Sequence, residues 1–442
     1  MYTAVTRRRR GAALLASASV VAVLAACGGD DSASGSGGGG GDGASELSAL
    51  FTTENAQVPA ALNDLAAGAC KAENDALPLA IEQTPGTNMQ QKVQLLAGQD
   101  ALPVFFAANN PFIVPGGALQ EAGQVADFDE VLTDLGVIDQ VTPAARSTVD
   151  KLFDGAFPSL PFQFNIEGIF YNKQLFADNG LEVPTTWDGL LDSAQTLKDA
   201  GITPFTASGK TGWTISRWIG AYLFRAIGPE AMDAIQAGDA KLTDPEYVEA
   251  AQAVAGLGES GFFTEGITNL DFDTAQQQLL DGDVAMMYGL TSMLSKINDP
   301  ELNNVGAENI GFMPFPEVEG GAGTIAQLPA NVGSPTAMSS KLYDDAVGDW
   351  LTCIANNFAD NVMENQGTFS GFKLSAPPEN VPPLTAELQT LIDNTDETVL
   401  WFEALFPQKA VTDASNNAAP LVTGAMSADQ YMQILQADVD AG

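Results

Sequence analysis

The chain has 442 residues and carries 18 Lys+Arg against 56 Asp+Glu, a formal net charge of −38, with no histidine. So acidic a surface repels phosphate backbones and anionic headgroups, which excludes nucleic acid as a partner, while the acidity itself names no ligand. Without histidine there is no Ser-His-Asp triad, no imidazole general base and no histidine metal ligand.

The first residues are a targeting segment. Arg7–Arg10 form a basic region, Gly11–Val23 an apolar one, and Leu24-Ala25-Ala26-Cys27 closes it with small residues before a cysteine. The apolar run is too short to span a bilayer, and the order is that of a secretory signal. The cysteine at the cleavage point resembles the lipobox of bacterial lipoproteins, so residues 1–26 are expected to be removed and Cys27 to carry lipid at the outer face of the cell membrane. Residues 28–45 are Gly, Ser and Asp with no apolar anchor, the composition of a flexible tether. Removing the signal takes away four arginines and no acids, leaving 14 basic residues against 56 acidic ones, net −42. About 415 residues then remain. That exceeds the ~250–300 residues at which single cores stop growing, so two domains are expected.

From Glu46 the pattern is regular. Leu47–Phe51 predicts a strand, 55–69 a helix with Val58, Ala61, Leu62, Leu65 and Ala66 on one face, and Leu77–Ile81 a second strand. Met89–Leu96 predicts another helix, and Leu102–Phe106 a third strand. Alternation at this spacing indicates an α/β fold with largely parallel sheet, where ligands sit beyond the carboxyl ends of strands. The segments 52–55 and 109–110 occupy those positions. Pro161–Lys173 is aromatic and aliphatic without helical period, a buried strand leaving one lobe for another. Thr186 is placed to cap a helix ending at Gly201, and Thr203–Ala207 predicts a strand. A loop at 209–213 then leads into a helix from Trp213 to Ile227. Asp244-Pro245 starts a further helix with proline at its first position. Asp273–Leu280 predicts a helix turning through Gly282-Asp283 into a strand at Val284–Gly289. Gly311–Pro316 predicts another strand. Ala326–Pro335 and Pro377–Pro383 read as further crossings between lobes, on either side of a helix at Asp344–Phe358. Ser427-x-x-Gln430 is a capping box for the last helix.

Signals for chemistry are weak. Gly209-Lys210-Thr211 lacks the leading glycine of a phosphate loop, since position 204 is Pro. Asp271/Asp273 and Asp281/Asp283 lack the alternating acids and terminal Glu of a calcium loop and read as helix ends. No Gly-x-Ser-x-Gly elbow occurs, no metal or cofactor is implied, and an enzyme has no positive support. With Cys27 lipidated, Cys70 and Cys353 remain as a pair in an oxidising compartment. They form either a disulfide or two buried thiols.

Several segments together resemble the family 1 extracellular solute-binding proteins of carbohydrate ABC importers, the maltose-binding-protein-like group. They are Phe51-Thr52-Thr53-Glu54-Asn55, Glu82–Pro85 before Gln90–Gln94, Leu102–Phe106, Gly168–Lys173, Val183–Trp187 and Leu280-x-Gly282-Asp283-Val284-Ala285-Met286-Met287. The resemblance implies a periplasmic-binding-protein-like fold of two α/β lobes joined by crossing hinge strands, closing on a sugar. The first lobe would hold 46–162 plus 325–378 and the second 163–324 plus 379–442. Both cysteines would then lie in the first lobe, which favours the disulfide. The partners implied are a carbohydrate and the membrane permease subunits of the transporter, with the protein itself a monomer.

Sugars present apolar C–H faces and hydroxyl edges, so their sites need aromatic platforms with directional amides or carboxylates. The candidate platforms are Trp213, at the loop where the resemblance implies an aromatic, Trp401, near the C-terminal binding segment, and Tyr288. The candidate hydroxyl partners are Glu54, Asn55, Asn109, Asn110, Gln163, Asn165 and Asn331. The competing role for each ring is core packing and for each amide a turn or cap; Trp187 and Trp218, among apolar residues at helical spacing, read as core. One departure from the family is Gly289-Leu290-Thr291-Ser292, where many members carry a Trp. The rival within binding proteins takes a polyol, glycerol phosphate or polyamine instead, and the rival from another class is a lipid-anchored glycoside hydrolase.

Overall fold

A computed structural model describes residues 43–53, 55–108, 110–376 and 381–442. The signal, Cys27 and most of the tether, together with Glu54 and Asn109, lie outside them. The strands are β1 (Leu47–Thr52), β2 (Leu79–Thr84), β3 (Phe105–Ala107), β4 (Asn165–Asn172), β5 (Thr203–Thr206), β6 (Val284–Leu290), β7 (Ile310–Met313), β8 (Pro329–Asn331), β9 (Thr336–Met338) and β10 (Val399–Leu400). They form two sheets. One has the order β2-β1-β3-β9, parallel except for β9. The other has the order β10-β8-β4-β6-β5, with β7 also paired to β4. In the second sheet β4 runs against β6, β7 and β8, while β5 is parallel to β6 and β10 to β8.

All eight residues of β4 are buried. Its apolar side chains divide between two cores: Ile166 and Phe170 join the one that includes the first sheet, Ile169 and Tyr171 the one under the Trp213–Ala226 helix. Alternation of side chains across a strand produces this division. Trp187 and Trp218 are both buried in the second core. Helix ends follow their signals. Thr186 accepts from Gly189 N, Pro245 sits in the first turn, and Ser427 and Gln430 form the reciprocal capping box.

Three connections pass between the sheets, and they run together. Leu160 N donates to Thr336 O, Gly371 N to Pro161 O and Phe164 N to Phe369 O. For that reason β4 begins only at Asn165: the backbone of 160–164 bonds to the other connections rather than to the second sheet. Likewise only 329–331 of the extended stretch 326–335 is strand. β2 starts at Leu79, two residues later than its apolar run suggests. Cys70 and Cys353 are bonded, closing 283 residues of separation and tying the segment after the Gln57–Ala67 helix to the Asp345–Gln366 helix.

Candidate ligand-binding site

The carboxyl ends of β6, β8 and β10 and the first residues of antiparallel β4 share one edge of the second sheet. That edge holds a buried charged cluster. Glu167, third in β4 and 1 % exposed, accepts from Arg217 Nη1, from Tyr288 Oη at 3.1 Å and from Asn331 Nδ2 at 3.3 Å. Arg217 Nε donates to Glu403 Oε2 at 2.8 Å, and the other Glu403 oxygen accepts from Ser216 Oγ. Asn165 Nδ2 donates to Asn331 Oδ1 at 3.2 Å, and Thr291 Oγ1 reaches Asn165 Oδ1 at 3.4 Å. Burial pushes the Glu167 carboxyl up, with Arg217 pulling it back and Glu403 adding to the rise. For Arg217 burial works against the charge, but the two carboxylates outweigh it and its pKa lies above the ordinary value. Burial, then the nearby Glu167, pushes the Tyr288 hydroxyl well above its usual range.

The guanidinium of Arg217 lies over two indole rings, 5.4 Å from the centroid of Trp213 and 5.4 Å from that of Trp401. Trp213 and Arg217 are four residues apart on one helix, hence on one face. The helix starts at Gly212, whose φ of +72° permits a turn that side-chain-bearing residues rarely adopt. Trp401 directly follows β10. Both indoles are half-buried, and Trp213 also packs on Phe272, ring centroids 5.1 Å apart. Half-exposed rings beside a fixed planar donor and directional amides can stack a sugar face and hold its hydroxyls.

Five of the residues expected from the sequence therefore meet here: Asn165, Asn331, Trp213, Trp401 and Tyr288. Tyr288 is a correction. It is 1 % exposed, enclosed by Trp218 and Phe315, so its ring offers no platform and its role is to donate to Glu167. Gln163 is half-buried beside Gly333, and its amide donates to Gln57 Oε1 at 3.0 Å. Asn55 and Asn110 lie past the carboxyl ends of β1 and β3, with no hydrogen bond to the cluster among the described residues. Asn55 Oδ1 is a buried acceptor without a partner there. Glu167, Arg217 and Glu403 were not among the expected site residues. A glutamate inside a buried apolar strand was the available signal, since such a charge requires a cationic partner.

Both arginines of the Trp213–Ala226 helix have partners. Arg217 is taken up by two carboxylates, and buried Arg225 donates to the backbone carbonyls of Phe315 and Gln327. Nor do Glu167 and Glu403 form a free acid–nucleophile pair, since both are tied to Arg217. The Cys70–Glu73–Cys353 group has metal-ligand spacing, but both sulfurs are spent in the disulfide.

The chain belongs to the bacterial extracellular solute-binding proteins, which it matches over residues 53–358. It is thus an extracytoplasmic binding protein rather than an enzyme, with the α/β fold of the two-lobed members. It is 41 % identical over 58 residues to the multiple sugar-binding protein of Streptococcus mutans, 13 % of this chain and 14 % of that one. It is 27 % identical over 231 residues to the sn-glycerol-3-phosphate-binding periplasmic protein UgpB of Brucella abortus, 51 % of this chain and 50 % of that one. The chain thus spans half or less of the length of these relatives. Among solved structures, a chitin oligosaccharide binding protein superposes with a TM-score of 0.74 at 21 % identity, covering 90 % of this chain and all of that one.

Proposed function

We propose that the protein captures a mono- or oligosaccharide between two lobes and delivers it to the permease of an ABC importer, tethered as a monomer by lipid on Cys27. The lobes are 46–162 with 325–378 and 163–324 with 379–442. The first sheet falls wholly within the first of these and the adjoining connections join it to the second, whereas β8, at 329–331, pairs in the second sheet and moves that boundary to after Asn331. The observation that carries the sugar reading is the pair of half-buried indoles against Arg217, itself held by Glu167 and Glu403. Asn55, Asn110 and Gln163, with Glu54 and Asn109, would approach the ligand from the first lobe and the crossings.

A second reading, glycerol phosphate, draws on the 231-residue match to a protein that binds it. A thermal-shift screen of the mature domain against mono- and oligosaccharides, sn-glycerol 3-phosphate, polyols and polyamines separates the two, because a ligand that binds only the native state raises stability by mass action. A shift with a sugar is the expected result. A shift with another solute and none with any sugar would overturn the carbohydrate assignment.

A further inference from the structure

Arg217 has five N–H donors, and its two carboxylate partners take Nε and Nη1. The Nη2 edge makes no hydrogen bond among the described residues, and the side chain is 14 % exposed. A charged donor pair is thus left open beside the two indoles. Behind it the charges do not balance. Glu167 and Glu403 together outnumber the one guanidinium, so with both ionised the cluster carries one net negative charge. Among the described residues, no second cation forms an ion pair with either carboxylate. Lys210, three residues before Trp213, is 4.0 Å from Asp271, and Arg225 is sealed against backbone carbonyls.

Resting on the sugar-binding reading, we propose that Arg217 determines specificity: its Nη2 edge donates to adjacent hydroxyls of an uncharged sugar stacked on Trp213 or Trp401, and the surplus carboxylate excludes phosphate esters. A hydroxyl pair can accept two N–H groups without drawing the guanidinium away from its partners. A phosphate ester meets a cluster of its own sign, and pulling Arg217 toward it would strand two buried carboxylates. Lysine cannot replace the group, because a point-charge ammonium lacks the planar fork that serves two carboxylates and still presents an open edge.

The test is titration calorimetry on the mature protein with chitotriose, xylotriose, raffinose, glycerol and sn-glycerol 3-phosphate. Wild type should bind a neutral sugar and bind sn-glycerol 3-phosphate at least 100-fold more weakly. R217K should lose at least tenfold in sugar affinity, and E403Q should shift the sugar-to-phosphate ratio toward phosphate by at least tenfold. If sugar affinity in folded R217K stays within twofold of wild type, the inference fails while the sugar reading stands. If wild type binds sn-glycerol 3-phosphate and no sugar, both fail. Should R217K not fold, the wild-type preference decides, and comparable affinity for sugar and phosphate overturns the proposal.

Discussion

At the scale of residues, the two indoles and Glu167 do separable work. Trp213 and Trp401 are half-buried and touch the same guanidinium, so each is suited to be a platform whose loss removes stacked area without opening a core. Trp213→Ala or Trp401→Ala should each weaken sugar binding by about 1–3 kcal/mol by calorimetry, with a small change in melting temperature. Unchanged affinity would return that ring to a packing role. Glu167 is different because its environment opposes its charge. Its folded-state pKa lies above the ordinary value, so between the two values the folded chain holds a proton that the unfolded chain has released. Stability therefore falls as pH rises through the raised value and is regained on acidification. Glu167→Gln removes that titration. Wild type should lose melting temperature relative to E167Q as pH rises above the ordinary carboxylate range, and curves that stay parallel throughout would show that burial does not hold the Glu167 proton.

At the scale of elements, local signals and long-range ones behave differently. Thr186, Asp244-Pro245 and the Ser427–Gln430 box act within one helical turn, so the sequence shows them directly and the structure contains all three. The start of β4 was less legible. Whether 161–164 joins the sheet depends on Phe369 and Gly371, some 200 residues away, which take its hydrogen bonds. The charged cluster was hidden for the same reason: Glu167, Arg217 and Glu403 come from a strand, a helix and a turn, and only packing brings them together. Trp213 was expected from the family resemblance, which places an aromatic at this loop. Gly212 shows how tightly that element is fixed. A Cβ there would stand 1.7 Å from Ser415 O on the Gln408–Val422 helix, at a φ that already disfavours side chains. Gly212→Ala should therefore cost more than the ~1 kcal/mol typical of a point mutation, read as melting temperature, and should weaken sugar binding by displacing Trp213. A variant of native stability and affinity would mean that the two helices part without consequence.

At the scale of the molecule, the disulfide lies apart from the crossings. The bond joins Cys70 to Cys353, flanking the Gln57–Ala67 helix that packs on the Asp345–Gln366 helix, and both cysteines belong to the core that includes the first sheet. The residues around Arg217 lie at the edge of the other sheet, and the connections between the sheets are held by backbone hydrogen bonds at 160–164, 336 and 369–371. A cross-link spanning 283 residues restricts the unfolded chain, and its removal costs about 2–5 kcal/mol. Because it bridges no moving boundary in the proposed division, it should contribute nothing to the free energy of closing on a ligand. The C70S/C353S double variant should thus melt well below wild type while its sugar affinity, measured far below its transition, stays within about twofold, a difference under ~0.5 kcal/mol. A larger loss of affinity at unchanged secondary structure would place the bond in the closure equilibrium and require a different boundary between the lobes.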